Sequence, residues 1–357
     1  MHRAASLSQR APIRTVDCTA ACRRRVRLAQ NGCLWYDDGM CWTPVRYHRA
    51  VHLTTIDLWL DPRERREWAV VSHAHRDHIA AHEEAILTEA TSRFMALRHV
   101  LPRAVHVLPY GEPRVLRGVE FTLWPSGHLL GGAQVTVAVN GQRVLYSGDF
   151  KLKPNAAADA IVVPRAETLI METTFGTPRY AFPPAAEVIA AMRAWCAACL
   201  QDGVLPVLLG YAVGKGQEIL AALAGTGWRL LLHDAVYAAS RLAEELGVAF
   251  PPFSRWTPGT GADAVLICPP HLRKWLPGKL SVPYRTAIVS GWALDPSTRY
   301  RFGADAAFCL SDHADYADLL AYVEQVHPQR VFTVHGFASE FANALRRRGY
   351  DATALDA

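Results

Sequence analysis

The stretch VVSHAHRDHIAAH, residues 70–82, holds four histidines and one aspartate. His73, His75, Asp77 and His78 offer imidazole nitrogen and carboxylate oxygen, ligand types that zinc takes, and their close spacing lets one turn aim them at a single point. One histidine there would ordinarily be a hydrogen-bonding residue; four donors together point to a metal. WAVVSH before them has the pattern of a buried strand, and IAAHEEAILTEATSRFMALR after them that of an amphipathic helix, so the donors fall on a strand-to-helix turn. Asp77 then stands at the helix N-terminus, where a carboxylate serves as cap or as ligand. His82, one turn past His78, reads as a supporting or surface residue.

A hydrolase acting on phosphodiesters gains from two metals about 3.5–4 Å apart, one beside the attacking oxygen and one that neutralises charge. Further ligands are therefore expected. His128 lies in PSGHLLGGAQV, flanked by glycines that let the backbone approach closely. Asp149 follows an apolar run in VLYSGDFK, where a lone carboxylate suits a bridging role. His313 in LSDHADY and His335 in FTVHG likewise stand where predicted strands stop.

The elements that carry these residues follow from punctuation and periodicity. VEFTLWPSGH, GAQVTVAVNGQRVLYSGD and AETLIMETT are alternating or β-branched runs, and Asn140-Gly141 is a type I′ hairpin signal, so an antiparallel meander is expected. From Pro183 to about Val289, helices alternate with the strands GVLPVLLG, WRLLLHD and AVLIC, the pattern of βα units on a parallel sheet. RTAIVSG, AAFCLSDH, the helical YADLLAYVEQV, RVFTVHG and a last helix ending RRRGY follow. The histidines return there, which predicts that the chain comes back to its first lobe around an insertion.

Composition agrees with such a body. A chain of 357 residues suits two lobes, and 50% hydrophobic residues with a mean hydropathy of +0.03 exclude global disorder. The net charge of +5 and pI near 8.8 tilt mildly toward an anionic partner. No apolar run of about eighteen residues and no secretory pattern is present, so no membrane contact and a cytoplasmic location are expected. The first sixteen residues read as a frayed tail. The eight cysteines are irregularly spaced and read as reduced thiols. Cys18, Cys22, Cys33 and Cys41 match no common zinc spacing, and Cys196 and Cys199 lie in a helical stretch as packing residues.

HAHRDH, then GH, then SGD at strand ends resemble the metallo-β-lactamase fold, an αββα sandwich with metals along one edge. Asp61 in LWLDPRER matches that family's early aspartate, a support for the metal loop. METTFG, LSDHADY and TVHG resemble the three motifs of the β-CASP nucleases, with Glu172, His313 and His335 at the marked positions. Those enzymes insert a nucleic-acid-gripping domain between the first and second of these motifs. YSGDFKLKP, ETTFGTPRY, GYAVGKGQ and VSGW look most like the bacterial ligase-associated DNA exonucleases, from about residue 30 to the end.

The resemblance implies an α/β chain with a tail at 1–29, a metallo-β-lactamase αββα sandwich at 30–180 and 290–357, and an inserted β-CASP α/β domain at 181–289. It implies two zinc ions, with manganese as the alternative. His73, His75 and His128 would hold one, Asp77, His78 and His335 the other, and Asp149 would bridge. Hydroxide activated by both metals would attack phosphorus, and His313, kept basic by Glu172, would protonate the departing sugar oxygen. The implied partner is nucleic acid, DNA favoured over RNA, with an ATP-dependent DNA ligase and a helicase as protein partners. Eukaryotic DNA-repair members generally carry valine where His335 stands and RNA-processing members histidine, so a ribonuclease of the same fold is the first alternative. A non-catalytic scaffold is opposed by the complete ligand set, and a small-molecule hydrolase by the large insertion.

GYAVGKGQEILAAL follows a strand and opens a helix, which places its amides and Lys215 to hold a phosphate. It is no P-loop, having three residues between the glycines instead of four and Gly216 where a hydroxyl is required. The loop, with Lys215, is read as a clamp on the substrate backbone. Arg299, Arg301 and the run Arg346, Arg347, Arg348 add to the basic surface.

Overall fold

The computed structural model describes residues 44–139 and 141–355, together with the short strands Arg27–Leu28, Leu34–Trp35 and Cys41–Trp42, which pair antiparallel. Most of the expected tail, Cys18, Cys22, Cys33 and Asn140 lie outside the described residues, as does the side chain of Cys41. Val139 pairs with Gln142, the two-residue connection that the hairpin signal predicts.

Two sheets face each other. One orders Val45–Tyr47, Val51–Leu53, Leu58–Leu60, Trp68–Val70, Glu84–Leu87 and Ala104–Val107; the other orders Arg114–Leu116, Val119–Pro125, Ala133–Val139, Gln142–Tyr146, Thr168–Glu172, Arg330–Val334 and Asp351–Ala354. Leu53, Leu60, Val70 and Ile86 of the first meet Phe121, Val135, Val137 and Ile170 of the second in one apolar core. Burial of each such side chain contributes about 1.5–3 kcal/mol. Leu145, Leu169 and Met171 point the other way, onto Leu319, Tyr322, Val323, Phe341 and Leu345 of the helices Tyr316–Val326 and Ala338–Arg347. This alternation is why strands covered on both faces read as nearly continuous apolar runs. On the outer face of the first sheet, Ala85 and Leu87 pack with Phe94 and Met95 of helix Glu89–Leu97. The layering is the αββα sandwich expected from the sequence.

Between the two parts of the sandwich stands a parallel sheet ordered Phe253–Arg255, Arg229–Leu232, Ala264–Cys268, Leu205–Leu209, Tyr284–Val289 and Ala306–Phe308, with apolar clusters on both faces. Its helix Asp234–Glu245 packs Leu242 and Ala243 into the cluster around Phe94. Cys196 and Cys199 are buried on helix Ala185–Gln201. The sheet does not end at Val289, because Ala306–Phe308 pairs in parallel with Tyr284–Val289. We therefore set the return to the sandwich near residue 310; the short, half-buried AAF strand gives no sign in the sequence of which sheet it joins.

The helix expected over residues 79–98 is also corrected. Glu84–Leu87 is a strand parallel to Trp68–Val70, and only Glu89–Leu97 is helical. Three of the four strand residues are buried, a short apolar run that helix and strand periods fit equally well. Thr88 starts the helix, its hydroxyl accepting from the Thr91 amide at 3.1 Å. Asp77 consequently sits on an irregular loop and caps no helix. Among the described residues no helix is long and apolar enough to cross a membrane.

Register delivers the chemistry-bearing residues to one edge. Tyr146 lies opposite Ile170 and Glu172 opposite Val334, so Asp149, Glu172 and His335 leave the second sheet together. The histidine loop of the first sheet joins them, with the Ala133 amide donating to the Ser72 carbonyl at 2.8 Å. His335 and Gly336 both have φ of +62°. A Cβ on Gly336 would stand 2.5 Å from Thr174 Cα and 2.6 Å from the Thr173 carbonyl oxygen, backbone atoms that cannot swing aside. Gly336→Ala is therefore expected to cost more than about 1 kcal/mol, read as a lower urea midpoint at unchanged slope.

Candidate metal centre

Five histidines converge at this edge, and each has one ring nitrogen held by the protein. His73 Nδ1 donates to Ser72 Oγ at 2.9 Å, with that hydroxyl in turn donating to Asp61. His78 Nδ1 donates to Asp61 Oδ2 at 2.8 Å, His75 Nε2 to the Val213 carbonyl at 3.0 Å, and His128 Nδ1 to the Asp312 carbonyl at 2.8 Å. His313 Nδ1 donates to Glu172 Oε1 at 2.8 Å. Fixing the outer nitrogen sets which inner nitrogen carries a lone pair, the arrangement that orients histidine ligands on metals.

Asp149 lies at the centre. Its Oδ2 is 3.4 Å from His73 Nε2, 3.3 Å from His78 Nε2 and 3.9 Å from His128 Nε2. His73, His75, His128 and Asp149 offer ligand atoms within 4.8 Å of one another, and so do Asp149, Glu172 and His313. Gly148, at φ +53°, permits the approach, since a Cβ there would meet Ser72 Oγ at 2.7 Å.

The donor set fits a divalent metal. His73 Nε2 is buried and has no hydrogen-bond partner. His75 Nδ1 and His128 Nε2 face each other at 3.1 Å as two lone pairs, which a shared cation stabilises. Asp77 and His335 stand farther out on the wall of the same cavity, which encloses about 1100 Å³. Asp77 Oδ2 is 3.8 Å from His78 Nε2, and the His335 ring centroid is 5.9 Å from that of His78. The clusters that close within 4.8 Å contain neither residue, so the second expected set is the more open of the two.

Electrostatics divide the histidines. Burial, then repulsion from His78, holds His73 well below the usual imidazole range; burial and His128 lower His75 to about 3; burial and His313 lower His128. These three are neutral at neutral pH, the state a metal requires. Burial also disfavours charge on His78, but the Asp149 and Asp61 carboxylates outweigh it and raise His78. Against the same burial cost, His78 and His73 keep Asp149 ionised, and Glu172 raises His313 to about 10.

Asp61 lies beneath the histidine loop: Oδ1 accepts from the Ser72 amide at 2.7 Å, and Oδ2 from Tyr146 Oη at 2.9 Å as well as from His78. His82 is fully buried, its Nδ1 accepting from the Arg66 amide at 3.2 Å. Lys215 requires correction. Its side chain is 1% exposed, and Nζ bonds to Glu218 and to the Leu310 carbonyl at 2.7 Å, with Asp312 Oδ1 at 3.6 Å. Turned inward and paired, it is not placed to hold substrate phosphate. Glu218 also binds Lys151 at 2.6 Å.

Asp312, Ser72, Tyr146, Lys151 and Glu218 were not legible as site residues. The Lys215/Glu218 spacing of three on one helix does carry a pairing signal. Asp312 directly precedes His313, but nothing local announces that its backbone carbonyl serves His128.

Residues 307–355 match the family model described as the Zn-dependent metallo-hydrolase RNA specificity domain. The chain is 42% identical over 87% of its length to a probable DNA ligase of Opitutus terrae, covering 31% of that protein. It is 28% identical over 42% of its length to the human DNA cross-link repair 1A protein, covering 15% of it. It is 30% identical over 40% of its length to the endoribonuclease YSH1 of Yarrowia lipolytica, covering 17% of it. The chain thus spans less than a third of each of these relatives. Together with the sandwich and its histidine-lined edge, these matches show a metallo-β-lactamase fold similar to that of the β-CASP nucleases.

Two outcomes are expected. Asp61→Asn tolerates the positive φ but removes the charge and leaves one acceptor oxygen for several donors, so zinc affinity should fall about 10–100-fold in chelator competition. In chelator-treated protein, His75 titrates at about 3 folded and about 6.5 unfolded, so its contribution to stability is complete above about pH 6.5 and lost as pH falls. His313, at about 10 folded, has the opposite sign: its contribution is complete below about pH 6.5 and lost as pH rises through 10. Thermal midpoints should therefore fall on both sides of neutrality, and His313→Gln should make the alkaline limb shallower.

Proposed function

We propose that this chain hydrolyses phosphodiester bonds of nucleic acid, most readily as a DNA exonuclease in repair. The observation that carries this reading is the convergence of histidine nitrogens with fixed outer partners around Asp149, on the wall of a cavity also lined by the inserted lobe. Tyr211, Pro269 and Ser290, which follow parallel strands of that lobe, line the cavity, the carboxyl-end position where open α/β sheets place ligands. The chain's 42% identity to part of a longer protein named a probable DNA ligase supports DNA and a ligase-linked setting; a helicase as a further partner rests on the family resemblance alone.

His73, His75 and His128 would hold one ion and Asp77, His78 and His335 the other, with Asp149 between them. Zinc or manganese bound there supplies Lewis acidity that neutralises phosphate charge and makes water acidic near neutral pH. Glu172 fixes the His313 ring and favours its protonated form. His313 is thereby prepared to give a proton to the leaving sugar oxygen as the P–O bond breaks. Phe175 meets the His313 ring edge-on and is itself backed by Trp292, which also packs on Tyr180, so the imidazole's rotameric freedom is narrowed.

A ribonuclease reading is favoured by His335, by the RNA specificity model over residues 307–355 and by the endoribonuclease relative. End-labelled DNA and RNA, incubated with zinc- or manganese-loaded protein, separate the two. Stepwise shortening of DNA alone supports the exodeoxyribonuclease; cleavage of RNA alone moves the chain to RNA processing. Asp149→Ala is expected to lose metal content and activity together, and full activity in that variant would sink the assignment. His313→Ala should keep its metal while turnover slows by about 10²–10⁴-fold.

A further inference from the structure

A second cavity, of about 410 Å³, lies next to the catalytic one and is lined by His48, Arg49, Arg63, Glu64 and Arg66 among others. Arg63 lines both cavities. Its Nε donates to the Asp77 carbonyl at 3.0 Å, and Nη2 is 3.8 Å from Asp77 Oδ2, so this guanidinium stands at the boundary between them. On the far side, Glu64 is shared by two arginines: Oε1 accepts from Arg49 at 3.0 Å and Oε2 from Arg66 at 3.2 Å.

Three guanidinium groups thus meet two carboxylates, Glu64 and Asp77, and the surplus is positive. Each guanidinium carries five donors in a planar fork that matches a phosphate. Arg66 lies over the Trp59 ring at 4.1 Å, which presets its plane, and its buried Nε has no hydrogen-bond partner. Arg49, with its side chain 84% exposed, is free to turn a face of its fork toward an arriving anion.

We infer that this second cavity is a backbone subsite, taking phosphates of the nucleic-acid strand beyond the one that reacts, with Arg63 as the step between the two cavities. The inference rests on the nuclease reading and adds where the strand runs. Contacts of this kind hold a polynucleotide through its phosphates and carry no base preference.

The test uses Arg49→Gln, a surface substitution expected to leave the thermal midpoint of the protein unchanged. Two substrates are compared with metal-loaded protein: a dinucleotide, whose single internucleotide phosphate must occupy the reacting position, and an oligonucleotide of about twelve residues. Binding of the longer strand is followed in parallel by fluorescence anisotropy against salt. The expected result is unchanged kcat/KM on the dinucleotide, a several-fold loss on the longer strand, and a log–log salt slope shallower by about 0.7, the value for one phosphate contact on a single strand. An unchanged slope and unchanged preference for length would overturn the subsite, and so would equal losses on both substrates. Failure of the unaltered protein to cleave any nucleic acid would overturn the nuclease reading itself, and the subsite with it.

Discussion

Four buried charges hold the parts of this molecule in one arrangement: Lys151 binds Glu218, Glu218 binds Lys215, and Lys215 faces Asp312. They come from three separate places in the fold. Lys151 lies two residues past Asp149, Lys215 and Glu218 open a helix of the inserted lobe, and Asp312 precedes His313. Removing such groups from water costs several kcal/mol per ion, and the cost is offset only while all partners remain in place. Because Asp312 also offers its carbonyl to His128, the ion chain reaches a candidate metal ligand through one residue. Val213 of the same lobe does likewise for His75. The insertion is therefore part of the scaffold that orients the centre, besides covering it.

That dependence explains a division of labour among the histidines. Those with carbonyl or hydroxyl partners, His73, His75 and His128, are neutral and present lone pairs. Those with carboxylate partners, His78 and His313, are drawn toward the charged form. His78 lies between Asp61 and Asp149, whereas His313 is aligned by Glu172 at the cavity wall. One residue type thus takes two charge states: burial lowers the first group, while nearby carboxylates, Asp149 foremost for His78 and Glu172 for His313, raise the second.

Much of this was legible in the sequence, for physical reasons that also mark where legibility ended. HAHRDH is dense because a loop at a strand end gathers donors locally, and Asp149, Glu172 and His335 fall where parallel strands of one sheet stop. Lys215 was misread because a glycine-flanked lysine at a helix start looks the same whether it faces solvent or a buried Glu218 nearly one turn away. Glu84–Leu87 was misread because a short buried run satisfies both periods. The contribution of Ala306–Phe308 to the inserted sheet depends on a partner strand some twenty residues earlier, which local pattern does not reveal. Asp312 acts through its backbone carbonyl, a group every residue possesses.

The burial of the ion chain separates two electrostatic roles that share the same kinds of side chain. Exposed cations such as Arg49 act through water and are screened by added salt over about 8–10 Å. Lys215 and its partners, shut away from solvent, are screened far less. Rising ionic strength thus weakens the attraction of surface arginines for any anion well before it loosens the joint between the lobes, so the outer field is tunable by the medium while the geometry of the centre is not.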